Sequence, residues 1–258
     1  MSIAVVTACL AGGASIGFLG GVLGIGGGLI AIPALALLLG MSQQEAQGTA
    51  LIMVLPTIMV AVRKYHQQAR FDLRVAAAGA AGAVAFTWVG ARLALGIPSS
   101  TLRQSFAGFL FCVGLFYLYQ TWRRGRPAPV RATPQPAAPE FTPARAAALG
   151  VVAGTLGGFF GVGGAILAVP IITTVFRLPQ TTAQALALSM VIPGSTIALI
   201  TYAWAGQADW TVGVPLALGS LALVPIGVRL AYRLPERGLR AAFAIMLFAT
   251  VALLIYES

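Results

Sequence analysis

The chain has 258 residues, of which 59% are hydrophobic and 9% charged, with a net charge of +10. A soluble domain carries roughly 45–50% apolar and about 25% charged residues, so this chain lacks the charge to cover a water-facing surface. That excludes a soluble enzyme, a secreted disulfide scaffold and a disordered tail protein. Nearly uncharged stretches close to 20 residues long indicate membrane helices instead.

The apolar stretches fall, in order, at roughly 3–40, 46–62, 73–95, 104–121, 145–176, 183–203, 211–231 and 239–256. The segment ahead of the first has no basic n-region, so a cleaved signal peptide is not expected. A straight helix over 3–40 would be well over 45 Å long, too long for one span of a core of about 30 Å. Gly24, Gly26, Gly27 and Gly28 interrupt its middle, and Pro33 follows. We read a helical hairpin broken at the glycines. Glycine permits left-handed backbone, and proline suits the first turn of the second half-helix. The free N–H groups opening that half-helix, with its macrodipole, make an anion site. The competing reading is helix packing, because Gly20, Gly24 and Gly28 step as GxxxG.

The next helix contains AQGTALIMVLPTIM over 46–59, with Gln47 and Thr49 as neutral polar groups and Pro56 as a kink. Such groups either replace water around a small anion or bond within their own helix and between helix pairs. Residues 122–144, WRRGRPAPVRATPQPAAPEFTPA, are rich in proline and arginine and read as an exposed basic linker.

Beyond the linker the pattern repeats. GFLGGVLGIGGGLIAIP starts at Gly17 and GTLGGFFGVGGAILAVP at Gly154, an offset of 137 that runs without a gap to the C-terminus. It pairs the first glycine cluster with Gly161, Gly163 and Gly164, Pro33 with Pro170, Gln47 with Gln184, and Pro56 with Pro193. The second AQ helix, AQALALSMVIPGST over 183–196, adds Ser189, Ser195 and Thr196. The domains are thus a first membrane repeat (1–121), the linker (122–144) and a second membrane repeat (145–258). Internal duplication of this kind is a transporter signature.

Basic residues set the orientation. They cluster at Arg63, Lys64, Arg70 and Arg74 in the first half, and at Arg229, Arg233, Arg237 and Arg240 in the second. The bias has changed loops between the halves, so the repeats are expected to be inverted, which requires an odd number of crossings in each. The expected fold is an all-α polytopic membrane protein of two inverted repeats, each a Gly-rich broken helical hairpin plus three transmembrane helices. Two short full spans per glycine window satisfy the same parity. The linker, with Arg123, Arg124, Arg126 and Arg131, is expected in the cytoplasm, and the protein in the inner cell membrane.

Other chemistries lack their residues. The only lysine, Lys64, has no phosphate-binding loop around it, and the only histidine, His66, lies beside Arg63 and Lys64. Cys9 and Cys112 sit in apolar segments as buried small residues, and no CxxC exists. No metal site is expected, and no cofactor. All six carboxylates (Glu45, Asp72, Glu140, Asp209, Glu236 and Glu257) fall in or beside loops, away from any proton or sodium relay. The positive charge fits cytoplasmic loops, not nucleic acid. The expected contacts are the bilayer, a small anion, and a second copy if the protein dimerises.

The two glycine motifs, each followed by AQ near the start of the next helix, resemble the sulfite exporter TauE/SafE family over essentially the whole chain outside the linker. The resemblance implies a non-enzymatic, multi-pass permease exporting sulfite or organosulfur anions such as sulfonates. It also implies substrate contact at the glycine breaks and at Gln47, Thr49, Gln184 and Ser189. This sequence has Leu186 and Ala185 opposite Thr49 and Gly48, so the two halves of the site are not equivalent. The alternative functions are a membrane-embedded partner subunit, and a permease for a carboxylate or a metal ion.

Overall fold

A computed structural model describes residues 3–68, 72–124 and 139–256. The described residues form ten α-helices: α1 Ile3–Leu23, α2 Gly28–Leu39, α3 Gln43–Gln68, α4 Leu73–Leu95, α5 Ser99–Arg124, α6 Pro143–Phe160, α7 Ala165–Thr174, α8 Gln180–Trp204, α9 Trp210–Ala231 and α10 Glu236–Tyr256. The starts of α2, α3, α4 and α5 recur at α7, α8, α9 and α10 with the same offset of 137. The sequence linker falls largely on 125–138, outside the described residues. The helices reach into its ends, α5 to Arg124 and α6 from Pro143.

Among the described residues seven helices are long and apolar enough to cross a bilayer: α1, α3, α4, α5, α6, α8 and α9. The two arms of each glycine window differ in length. The first arms of the two glycine windows are themselves of spanning length, at 21 and 18 residues. Their second arms, at 12 and 10 residues, are about 18 and 15 Å long and too short to span. In α10 the uncharged stretch begins at Ala241, because Glu236, Arg237 and Arg240 stand in the first two turns.

Glycine stripes decide the packing. On α1, Gly13, Gly17 and Gly21 face Leu216, Ser220 and Val224 of α9, so that a Cβ on Gly13 would strike the Leu216 carbonyl oxygen. Gly150, Gly154 and Gly158 of α6 face Gly79, Ala83 and Thr87 of α4 in the same way. Small residues let these backbones approach, which drives helix association in lipid. Both pairs run parallel, since each residue number rises with its partner's. The stripe that packs is therefore 13–17–21, and the GxxxG of Gly20, Gly24 and Gly28 leads into the break.

The helices α3 and α8 pass in opposite directions. Gln47, near the start of α3, touches Tyr202, near the end of α8. Tyr65, near the end of α3, and Gln184, near the start of α8, both bond to the last turn of α1. The α2 arm folds back along α1, leaving an apolar cleft of about 340 Å³ that Ala4, Ala8 and Leu39 help to line.

Paired aspartates start the helices after the first loops. Asp72 and Asp209 are the N-caps of α4 and α9. The Asp209 carboxylate accepts from the Thr211 hydroxyl at 2.6 Å and from the Thr211 N–H at 2.8 Å. The hydroxyl bond, more than any other contact, holds its pKa below the usual carboxylate value. This capping contribution is full above about pH 4 and is lost as the pH falls through the lowered folded-state value. Asp209→Ala should cost about 1 kcal/mol, read as a lower melting temperature of the purified protein. A melting temperature equal to the parent's would show that the cap contributes nothing.

Candidate functional site

Both helical hairpins turn at their glycines. Gly24, Gly26 and Gly27 have φ of +67°, +73° and +84°, and Gly161, Gly163 and Gly164 have φ of +66°, +76° and +73°. The left-handed pattern is thus copied position for position, and only glycine adopts it freely. The breaks are 24–27 and 161–164. Gly28, expected inside the break, is the first helical residue of α2. Pro33 and Pro170 are each the sixth residue of their helix, not part of the first turn. A proline there still lacks the N–H that would bond four residues back, so it frees one carbonyl per arm.

The two breaks meet. A Cβ on Gly28 would lie 3.6 Å from Val162 Cα and 3.8 Å from the Gly161 carbonyl oxygen. Around them stand the middles of the two long opposed helices: Met53, Val54 and Ile58 of α3 beside the first break, and Val191 and Ser195 of α8 beside the second. The N-termini of α2 and α7 therefore open into the centre of the helix bundle, with their first N–H groups unpaired inside the helix. Each end carries roughly +0.5 elementary charge.

Each glutamine reaches across to the other half's break. Gln184 lies against Gly24, and its Nε2 donates to the Leu23 carbonyl at 2.7 Å. Gln47 lies against Gly161, and its Oε1 accepts from the Tyr202 hydroxyl at 2.7 Å. Both side chains are fully buried, and Gln47 Nε2 and Gln184 Oε1 have no partner. An unsatisfied buried amide group costs about 1–3 kcal/mol; an anion at the break would accept from Gln47 Nε2, whereas Gln184 Oε1 is an acceptor that water would satisfy.

The remaining polar residues have other partners. The Thr49 hydroxyl accepts from the Asp209 N–H at 2.9 Å and ties α3 to the loop before α9, so it does not join Gln47 at the break. The Ser189 and Thr196 hydroxyls donate to carbonyls four residues back in α8. Pro56 and Pro193 lie inside α3 and α8. Among the described residues no group of three His, Cys, Asp or Glu side chains is placed to hold a metal. Cys9 is buried, whereas Cys112 is exposed, contrary to the expectation for the second cysteine.

Two residues that sequence reasoning did not single out complete the site. Tyr65 and Tyr202 are fully buried, and their hydroxyls bond to the carbonyls of Gly21 and Gly158, three residues before each break. Each ties a long helix to the end of a hairpin arm. The available signal was their pairing at the offset of 137 within otherwise apolar stretches.

The profile of one family, described as Sulfite exporter TauE/SafE, matches residues 9–254. The chain is 27% identical to a probable membrane transporter protein of Xylella fastidiosa strain Temecula1, covering 100% of this chain and 98% of that protein. It is 23% identical to the probable membrane transporter protein YunE of Bacillus subtilis strain 168, covering 93% and 94%. It is also 24% identical to the probable membrane transporter protein YdhB of the same organism, covering 88% and 91%. No solved structure gives a significant match. The chain belongs to the sulfite exporter TauE/SafE family and is a multi-pass membrane protein.

Proposed function

We propose that this TauE/SafE family member exports small monoanions, sulfite or sulfonates, across the inner cell membrane through the paired helix breaks. The observation that carries the reading is the meeting of two half-helix N-termini beside buried, partly unpaired glutamine amides. Two ends of roughly +0.5 offset one negative charge and leave a dianion under-compensated. The unpaired Gln47 Nε2 completes the solvation as a donor without adding charge, and Gln184 brings no charge either. With the cytoplasm negative, export of a monoanion gains about 2.3 kcal/mol per 100 mV, so uniport needs neither ATP nor a coupled proton.

The test is the purified protein in liposomes, assayed for flux of radiolabelled sulfite, acetate and nickel. The reading expects sulfite to move fastest and nickel not at all. Nickel flux without sulfite flux would contradict it.

Inversion of the two halves in the membrane is part of the proposal, supported by the opposed α3 and α8. Arg63 and Lys64 at the end of α3 and Arg229 and Arg233 at the end of α9 also lie at one end of the molecule. The Tyr232 hydroxyl, after α9, donates to the Tyr65 carbonyl at the end of α3, and the two rings pack 5.6 Å apart. Basic ends face the cytoplasm. In a Cys9→Ser, Cys112→Ser background, His66→Cys and Arg233→Cys should label only from the cytoplasmic side, and Trp204→Cys only from outside. Labelling of the first two from opposite sides would rule out this orientation.

A further inference from the structure

The two breaks correspond residue for residue, yet their surroundings differ. A narrow crevice lies against the second break, walled by α4, α6 and α8. Ser195 brings a hydroxyl to it, Thr87 borders it with a hydroxyl that donates to the Ala83 carbonyl at 2.7 Å, and the small residues Gly194 and Ala83 leave its width. The Ser195 hydroxyl is buried and has no hydrogen-bond partner. It stands 3.0 Å from where a Cβ on Gly163 would be, so it faces the backbone that opens α7. Thr87 Oγ1 lies 2.7 Å from where a Cβ on Gly194 would be, beside the same stretch of α8.

At the first break every one of these features is reversed. The offset of 137 places Ile58 opposite Ser195 and Val224 opposite Thr87, exchanging each hydroxyl for an aliphatic branch. It places Thr57 opposite Gly194 and Ser220 opposite Ala83, exchanging each small residue for a larger one. The Ile58 side chain presses against Gly26. The Thr57 and Ser220 hydroxyls lie 2.6 Å apart and bond to each other. The first copy is therefore filled and internally satisfied. The second keeps an orphaned donor beside the start of a half-helix.

We propose that the second break alone carries a subsite, formed by the Ser195 hydroxyl and the backbone before α7 with Thr87 in its wall, that takes one oxygen of the transported oxyanion. The first break contributes its field but no direct contact. This rests on the anion-permease reading above and adds which half holds the substrate. In this conformation the crevice is too narrow for a water molecule. Binding requires α8 to part from α4. Pro193, one residue before Gly194, leaves the Ser189 carbonyl without its helical partner and gives α8 a bending point there.

Two measurements test the subsite. In sulfite flux, Ser195→Ala should raise the half-saturating concentration about tenfold, the loss expected for one hydrogen bond to a charged ligand. Ile58→Val should leave it at the parental value. Parental half-saturation in Ser195→Ala overturns the proposal. The second measurement needs no transport. Ser195→Cys and Ile58→Cys, in the Cys9→Ser, Cys112→Ser background, are alkylated with iodoacetate and with iodoacetamide. The ratio of the anionic to the neutral rate should be several-fold higher for Ser195→Cys. Equal ratios, or no alkylation of Ser195→Cys by either reagent, overturn the subsite. If the parent moves no sulfite, the transport reading fails while the ratio still decides the subsite.

Discussion

Gly164→Ala is expected to abolish anion flux and to lower the melting temperature of the purified protein. Gly164 has φ of +73° and is the residue from which α7 begins. An alanine in that left-handed conformation costs roughly 1–2 kcal/mol. Its Cβ would also strike the Ala153 carbonyl oxygen, which belongs to the α6 backbone and cannot swing aside as a side chain would. Overpacking of this kind adds roughly 1–3 kcal/mol. The structure supplies its own control in Gly40, which has φ of +65° and no atom within 4 Å of where a Cβ would stand. Gly40→Ala should show the conformational cost alone and should transport. If Gly164→Ala melts and transports like Gly40→Ala, close packing at the break does not hold the site together.

Gln47→Glu should weaken anion binding close to a thousandfold. Gln47 is fully buried against Gly161, with Nε2 unpartnered, and the substitution replaces that donor with a charged acceptor. A fixed negative charge about 4 Å from a bound monoanion, at an effective dielectric of about 20, repels it by about 4 kcal/mol. Gln47→Leu removes a hydrogen-bonding group without adding charge and leaves the Tyr202 hydroxyl its other acceptor, the Gly158 carbonyl. It should cost about 1–3 kcal/mol. Competition of unlabelled sulfite against labelled flux separates the two. Parental affinity in Gln47→Glu would place Gln47 away from the anion.

The breaks were legible in the sequence because glycine clusters at two positions separated by a fixed offset leave a helix few conformations. Their limits were not. Whether Gly28 closes the break or opens α2 depends on which N–H finds a carbonyl, and sequence spacing does not record that. The parallel pairing of α1 with α9 was missed although its stripe, Gly13, Gly17 and Gly21, is visible. Any such stripe suits several partners until the tertiary arrangement selects one. The glutamines were found, but not that each serves the opposite half, because crossing of the two halves is a property of the assembled bundle. Thr49 shows the converse. Its residue type suited an anion site, and the fold uses it to hold the Asp209 N–H. The exchange of Ser195 and Thr87 for Ile58 and Val224 was readable from the repeat alignment, but its meaning required the crevice beside Gly163.

Electrogenic movement of an anion through the breaks is the central claim, and sulfite efflux from proteoliposomes under an imposed potassium diffusion potential tests it most directly. The assay is run on the slightly acidic side of neutral pH, where the singly charged form is favoured. An inside-negative potential of about 100 mV supplies about 2.3 kcal/mol to each departing charge. Efflux should therefore accelerate at inside-negative potential, slow when the potential is reversed, and be absent at both in Gly164→Ala. Efflux that is the same at both potentials, or that persists unchanged in Gly164→Ala, would contradict the account.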